Sequence, residues 1–203
     1  MTDSNALMAN LEEASRIAKA GEDMPLVGGP IGLMWGILIT SCLTIHYLII
    51  SQIIAVPFYT LNFLWIGFAI LGGIGSAILG PKVDKKPGAN SLANKVEQYV
   101  WIMFASAMAS LAIGVILNLF LGKGGYQIWD FVLVAGFAGQ GLAYGVIAKL
   151  TGRGWLHYAA FASFTMTAVT MSFYGQSVIY LIAAIASAFT IIIPSMLSMK
   201  VAR

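Results

Sequence analysis

The sequence predicts an all-α, polytopic membrane protein, with a bundle of six transmembrane helices after an N-terminal cytoplasmic amphipathic helix. Three observations support this prediction. The composition is too apolar for a water-exposed surface, six apolar windows have membrane-spanning length, and the basic residues collect in alternate loops. The same observations divide the chain into residues 1–30, the N-terminal helix with its hinge, and residues 31–203, the transmembrane domain.

Composition indicates the class of protein. Hydrophobic residues make up 59% of the chain, charged residues make up 9%, and the mean hydropathy is +0.86. Soluble domains carry about 25% charged residues, so this chain is expected to bury most of its surface in a lipid bilayer. The net charge of +3 comes from basic residues dispersed over separate short segments, which argues against nucleic-acid binding.

Each predicted crossing is an apolar window close to the length of about 20 residues that a hydrocarbon core requires. Loops and turns that contain glycine, proline or charged residues separate the windows. At 203 residues, the chain suits one compact bundle. In chain order the predicted crossings are 31–50, 59–79, 99–121, 128–148, 155–174 and 178–199.

The basic residues predict the topology. On one side, the loops 51–58, 122–127 and 175–177 contain a single basic residue, Lys123. Because cytoplasmic loops carry the excess of Lys and Arg, the opposite side and both termini are predicted to be cytoplasmic. We interpret the membrane as a bacterial inner membrane. The ten basic residues on the cytoplasmic side are Arg16, Lys19, Lys82, Lys85, Lys86, Lys95, Lys149, Arg153, Lys200 and Arg203.

A separate amphipathic helix is predicted before the first crossing. Leu7, Leu11, Ala14 and Ala18 recur at helical spacing, and Ser4 suits the N-cap. Two interpretations stay open: a docking helix for a cytoplasmic or membrane partner, or an interfacial helix lying against headgroups or the bundle. Acidic residues on its polar side weaken the membrane-surface interpretation, since such helices usually present a basic face.

Small residues at four-residue spacing predict close packing between helices in the membrane. We favour packing within the chain, and the alternative is a homodimer formed through one such face. The faces are Gly72, Ser76 and Gly80 on the second helix, Ser106, Ser110, Gly114 and Asn118 on the third, Gly141 and Gly145 on the fourth, and Ala183 with Ser187 and Ala184 with Ala188 on the sixth.

Residues that carry chemistry are scarce at membrane depth. No Asp, Glu, Lys or Arg lies near the middle of a predicted crossing, which disfavours a proton-driven pump. His46 and His157 fall near opposite faces and Cys42 is the sole cysteine, so neither a metal site nor a histidine-ligated cofactor is expected. Because no acid and base share one depth, the chain is predicted not to be an enzyme and to need no cofactor.

Polar residues recur near the non-cytoplasmic end of every predicted helix. One interpretation is a polar pocket for a small ligand or proton, in which His46 titrates near neutral pH. The other, which we favour, is that water and headgroups satisfy polar groups near helix ends, with Asp130 capping the fourth helix. The six candidate ligand-binding residues are His46, Asn62, Asn118, Asp130, Tyr174 and Tyr180.

A second polar set lies deeper, on the fourth and fifth helices. It forms either a narrow polar path or a set of hydrogen bonds to neighbouring helices and to backbone carbonyls, and the second is the commoner use of such groups. The four candidate path-lining residues are Gln140, Ser163, Thr167 and Thr170.

Pro194 is expected to kink the sixth helix, because it lacks a backbone donor.

Two functions fit this sequence. The first is a regulatory, sensory or accessory membrane module that binds a partner through the N-terminal helix and the loop 82–95. The alternative is a small-solute transporter or channel with a weakly polar path through the fourth and fifth helices, which would have to select its solute with uncharged groups. The sequence does not identify the partner, ligand or solute.

Overall fold

The computed structural model describes residues 7–13 and 25–201, and every regular element within them is helical. The predicted all-α class is confirmed. Residues 7–13 are helical, and the rest of the predicted N-terminal helix lies outside the described residues. The following helices are α1 (Gly29–Ile50), α2 (Thr60–Asp84), α3 (Leu92–Phe120), α4 (Ile128–Thr151), α5 (Leu156–Ser172), α6 (Val178–Ser187) and α7 (Ile193–Val201), with a π-helical segment, Ala188–Ile192, between α6 and α7.

Five helical stretches in the described part of the chain are long and apolar enough to cross a membrane. They are α1, α2, α3, α4 and the stretch Val178–Lys200, which contains α6, the π-helical segment and most of α7. Helix α5 has 17 residues. The structure therefore supports a multi-helix membrane protein with five spanning helices by length and composition, one fewer than the six predicted windows.

The helices pack so that neighbours in the sequence are mostly neighbours in space. Helix α1 lies between α2 and α6, α5 lies between α6 and α4, and α4 lies between α5 and α3. We call the end with loops 51–59, 121–127 and 173–177 the His46 end. The opposite end, with segment 25–28, loop 85–91 and turn 152–155, is the Asn94 end.

Each end has its own apolar core. At the His46 end, Leu43, Val115, Trp129 and Ile179 bring together α1, α3, α4 and α6. At the Asn94 end, the core joins the segment before α1 to the start of α3, the end of α4 and the start of α5. Among the five spanning stretches, α2 and α3 have the smallest share of buried residues, 6% each in their most apolar windows, which suits elements that face lipid.

Small residues let several helices approach closely, as the sequence predicted for part of the set. Gly72 on α2 contacts the Trp35 ring, and the Trp35 indole Nε1 donates a hydrogen bond of 3.0 Å to Ser76 Oγ. On α4, Gly141 contacts the ring of Phe164 on α5. These faces pack within the chain.

Among the described residues, two glycines of the other predicted faces have no helix packed on them, whereas a face that was not predicted does. Within the described part of the chain, no atom outside their own helices lies within 4 Å of where a Cβ would be at Gly80 or Gly114. A face on α1, with Gly32 against Ser195 and Gly36 against Ile192, provides the close approach of α1 to the π-helical segment and α7. This face was not among those predicted, although Gly32 and Gly36 have the same four-residue spacing.

Asn94, near the start of α3, joins three backbone segments at the Asn94 end. Its Oδ1 accepts a hydrogen bond of 2.8 Å from the Val27 amide, and its Nδ2 donates to the carbonyls of Pro25 and Gly88, both at 3.0 Å. Asn94 is 4% exposed. One side chain thus ties the segment before α1 to the loop before α3.

Candidate functional site

The carboxylate of Asp130 joins three elements at the His46 end. It lies in the first turn of α4 and is 2% exposed. Oδ1 accepts a hydrogen bond of 2.5 Å from the Tyr180 hydroxyl, and Oδ2 accepts one of 2.8 Å from the Gly175 amide. Gly175 has a φ of +81°, a conformation that glycine adopts without strain.

Helix capping, the role expected for Asp130, is not what its side chain does. The N-cap of α4 is Gln127, and no side-chain hydrogen bond caps that helix. Asp130 instead holds α6 and the loop 173–177 through Tyr180 and Gly175. Its position in the first turn still places a negative charge at the positive end of the α4 dipole.

His46 packs directly on the tyrosine that contacts Asp130. The His46 and Tyr180 rings are stacked, with centroids 3.6 Å apart and planes 14° apart. His46 Nδ1 accepts a hydrogen bond of 3.1 Å from Trp65 Nε1. Since Nδ1 is an acceptor, this network assigns the ring proton to Nε2, which is buried with no hydrogen-bond partner among the described residues.

These contacts form one continuous group across four helices, which we call the Asp130 network: Trp65 on α2, His46 on α1, Tyr180 on α6 and Asp130 on α4. Trp65 also stacks on Trp129, next to Asp130 in the sequence, with centroids 5.5 Å apart. The network therefore fixes the relative positions of the helices at this end. Any change in Asp130 or its surroundings would act on all four.

A pocket of about 460 Å³ adjoins the network. This volume lies within the range of about 300–1,000 Å³ that is usual for small-molecule sites. Asp130 and Tyr180 are its most buried lining residues. The full lining comprises Ile50, Phe58, Gly125, Tyr126, Gln127, Asp130, Gly175, Gln176, Ser177 and Tyr180.

The structure brings together three of the six candidate ligand-binding residues. His46, Asp130 and Tyr180 are in the network, and Asp130 and Tyr180 line the pocket. Tyr174 is 45% exposed and is outside the pocket lining. Asn62 and Asn118 are also outside it, and each has a buried Oδ1 without a hydrogen-bond partner in the described part of the chain.

Two of the four candidate path-lining residues contact each other. Gln140 Nε2 donates hydrogen bonds of 3.1 Å to Ser163 Oγ and to the Thr190 carbonyl. Thr167 and Thr170 donate to carbonyls of their own helix, those of Ser163 and Met166. Three of the four, Gln140, Ser163 and Thr170, are fully buried.

The Gln140 contact with Thr190 has a cause in the sequence. Pro194 lacks an N–H, so the carbonyl four residues earlier, that of Thr190, loses its α-helical donor. The helix has π-helical geometry over Ala188–Ile192, just before this proline. Gln140 Nε2 donates a hydrogen bond to this carbonyl and so compensates for the donor that proline lacks.

Several residues of the site were not found from the sequence. The candidate residues were taken from the ends of the predicted crossings, so lining residues in the loops between them were left out. These include Phe58, Tyr126, Gln127, Gln176 and Ser177. Their signal was available, since these residues lie in the three loops that the charge pattern had already assigned to one side.

No group of three or more His, Cys, Asp or Glu residues within 7–13 and 25–201 is placed to hold a metal ion, and Cys42 is a free, buried thiol. No protein-family model matches the sequence, and comparisons with curated proteins and with solved structures gave no match.

Proposed function

We propose that this chain is a regulatory or sensory membrane module that binds a small ligand at the His46 end and a protein partner at the opposite end. One observation carries the proposal: a buried carboxylate, Asp130, adjoins both a pocket and a network that links four helices. Ionisable residues inside membrane segments are costly and usually functional.

The proposed topology has six crossings, with both termini in the cytoplasm of a bacterial inner membrane. Helix α5 is the sixth crossing in this topology. Its 17 residues span about 25 Å at 1.5 Å per residue, near the short limit for a membrane-spanning helix. The supporting observation is the distribution of basic residues, since the loops at the His46 end contain Lys123 alone.

The proposed partner site is the N-terminal helix. Within residues 7–13, Leu7, Met8 and Leu11 are 60–64% exposed. An exposed apolar set on a helix with acidic neighbours, Glu12 and Glu13, suits a protein groove better than an anionic membrane surface. Pro25 and Val27, just before α1, are held to the bundle through Asn94, and the proposed coupling runs along the chain between them and this helix.

The test compares recovery of a partner by three forms of the tagged, full-length protein purified in mild detergent. Deletion of residues 2–19 is expected to abolish recovery of a specific partner while the bundle stays folded. Ser177→Trp, which places an indole in the pocket, is expected to change recovery at least about fivefold, a usual size for coupling between sites. Ser172→Trp, at an exposed position outside the pocket lining, is the control.

Unchanged recovery in both the deletion and Ser177→Trp would reject the proposed function. A loss with the deletion but no effect of Ser177→Trp would reject the sensory part, because partner binding would then be independent of the pocket.

One observation favours the alternative function, a small-solute transporter or channel. The stretch Val178–Lys200 is interrupted by the π-helical segment, and Gln140 contacts that segment in the interior of the bundle. Interrupted helices are common at transporter binding sites, and π-helical turns often occur at functional sites.

Transport is tested with purified protein in liposomes. Gln140→Leu is expected to reduce solute flux, because it removes the polar group that contacts α5 and the π-helical segment. Thr165→Val is the control, since the exposed Thr165 hydroxyl bonds only a carbonyl of its own helix. Absence of flux by the unmodified protein across cationic, anionic and neutral solutes would reject this alternative.

A further inference from the structure

We infer that the pocket at the His46 end binds a small organic cation, with an ammonium group placed against Asp130. This inference rests on the proposed function and specifies its ligand class. It combines three observations: the charge in the lining, the aromatic rings around it, and the remaining polar side chains.

The charge in the pocket is negative. Among the described residues that line it, Asp130 is the only one with an ionisable acidic or basic side chain other than tyrosine. Both of its oxygens accept hydrogen bonds, from Tyr180 and Gly175, as a carboxylate anion does. Lys123, the single basic residue in the three loops at this end, is exposed and outside the lining.

Aromatic rings contribute to the lining of the same space. Phe58 and Tyr126 lie with their ring centroids 5.8 Å apart and their planes at 58°, and Tyr180 contributes a third ring to the lining. The face of an aromatic ring attracts a cation, and groups of aromatic rings recognise quaternary ammonium ligands. A metal ion would instead require several oxygen ligands at close range.

The competing field at this site comes from helix dipoles. The N-termini of α2, α4 and α6 lie at this end and carry partial positive charge, which favours an anion, while the C-termini of α1, α3 and α5 at the same end carry partial negative charge. The full carboxylate charge in the lining opposes the partial positive charges, and the aromatic rings add attraction for cations alone. Gln127, Gln176 and Ser177 offer polar groups for a hydroxyl or carbonyl attached to the cationic head.

The test uses choline and its uncharged carbon isostere, 3,3-dimethylbutan-1-ol, with the purified full-length protein in detergent. Choline is expected to raise the melting temperature and to bind measurably in calorimetry, and the isostere is expected to do neither. Asp130→Asn should weaken choline binding at least about tenfold through loss of the charge. Phe58→Leu should weaken it about threefold through loss of one cation–π contact.

Phe120→Leu is the control, because Phe120 is 86% exposed and outside the pocket lining. Phe58 is itself 39% exposed, so Phe58→Leu keeps the test informative if Asp130→Asn fails to fold. Equal binding of choline and the isostere would overturn the inference, as would choline binding that neither variant weakens.

Failure of the inferred ligand class can be distinguished from failure of the proposed function by testing propionate and glycerol in the same binding assays. If either of these binds, and Ser177→Trp abolishes that binding, the cationic class is wrong and the proposed ligand-sensing function stands. If no probe binds and partner recovery is indifferent to Ser177→Trp, the inference and the proposed function both fail.

Discussion

Replacement of Gly72 by alanine is expected to lower the free energy of unfolding by about 2 kcal/mol, because it overpacks the contact between α1 and α2. A Cβ at this position would overlap the Trp35 ring. Trp35 cannot move away freely, since its Nε1 donates to Ser76 Oγ and its ring packs edge-on against Phe68, with centroids 5.2 Å apart. The measurement is equilibrium unfolding in mixed micelles.

Gly73→Ala is the matched control, one residue further along the same helix. No atom outside the local helix lies within 4 Å of where its Cβ would be, so alanine adds helix propensity of up to about 1 kcal/mol without a clash. Equal effects of the two substitutions would contradict the packing of Trp35 on Gly72. In a double variant with Trp35→Ala, the cost of Gly72→Ala should largely disappear, because the two effects share one contact.

The sequence alone predicted that Gly72 and Ser76 share a packing face, but not which residue packs there. Four-residue spacing determines which side chains share a helix face, whereas the neighbour depends on how the helices are arranged. Gly80 continues the same spacing, but no atom of the described residues outside its own helix lies within 4 Å of where its Cβ would be. The same holds for Gly114 on α3.

The sequence predicted how deep in the membrane the candidate residues lie, but only partly which of them come together. Counting residues along each crossing places His46, Asp130 and Tyr180 at one end, but depth contains no information about rotation around the helix axis. Rotation decides that Asp130 bonds Tyr180, while Asn62 lies outside the pocket lining. Loop residues such as Phe58 could not be placed, since loops have no periodicity to interpret.

The apolar window predicted a third helix shorter than α3 and therefore left out Asn94 and its contacts. The third predicted crossing began at residue 99, whereas α3 begins at Leu92, with Ser91 as N-cap and its Oγ accepting a hydrogen bond from the Asn94 amide at 3.4 Å. Charged residues at 95 and 97 excluded this first turn from an apolar window. Helical structure extends past the apolar part of a segment, and Asn94 lies in that extension.

Replacement of Asn94 by alanine is expected to cost about 3 kcal/mol, the largest loss among these predictions. The change leaves three backbone groups without their side-chain partner: the Val27 amide and the carbonyls of Pro25 and Gly88. An unpaired buried polar group costs about 1–3 kcal/mol, and the sum is reduced because the Gly88 carbonyl keeps a hydrogen bond of 2.9 Å from the Ser91 amide. The free energy of unfolding in mixed micelles is the measurement.

Two comparisons separate the loss of these bonds from a general effect of truncation at the Asn94 end. Gln98→Ala removes an exposed amide one turn further along α3 and should change stability by less than about 0.5 kcal/mol. Asn94→Asp keeps the side-chain volume and an acceptor for the Val27 amide but places an oxygen against the carbonyls of Pro25 and Gly88, so it should destabilise the protein at least as much as alanine does. Equal stability of Asn94→Ala and Gln98→Ala would contradict the assigned role.

The Asn94 contacts also make a prediction about partner binding. If they transmit movement of the bundle to the N-terminal helix, partner recovery by Asn94→Ala should no longer respond to Ser177→Trp. Loss of stability alone would not produce this effect.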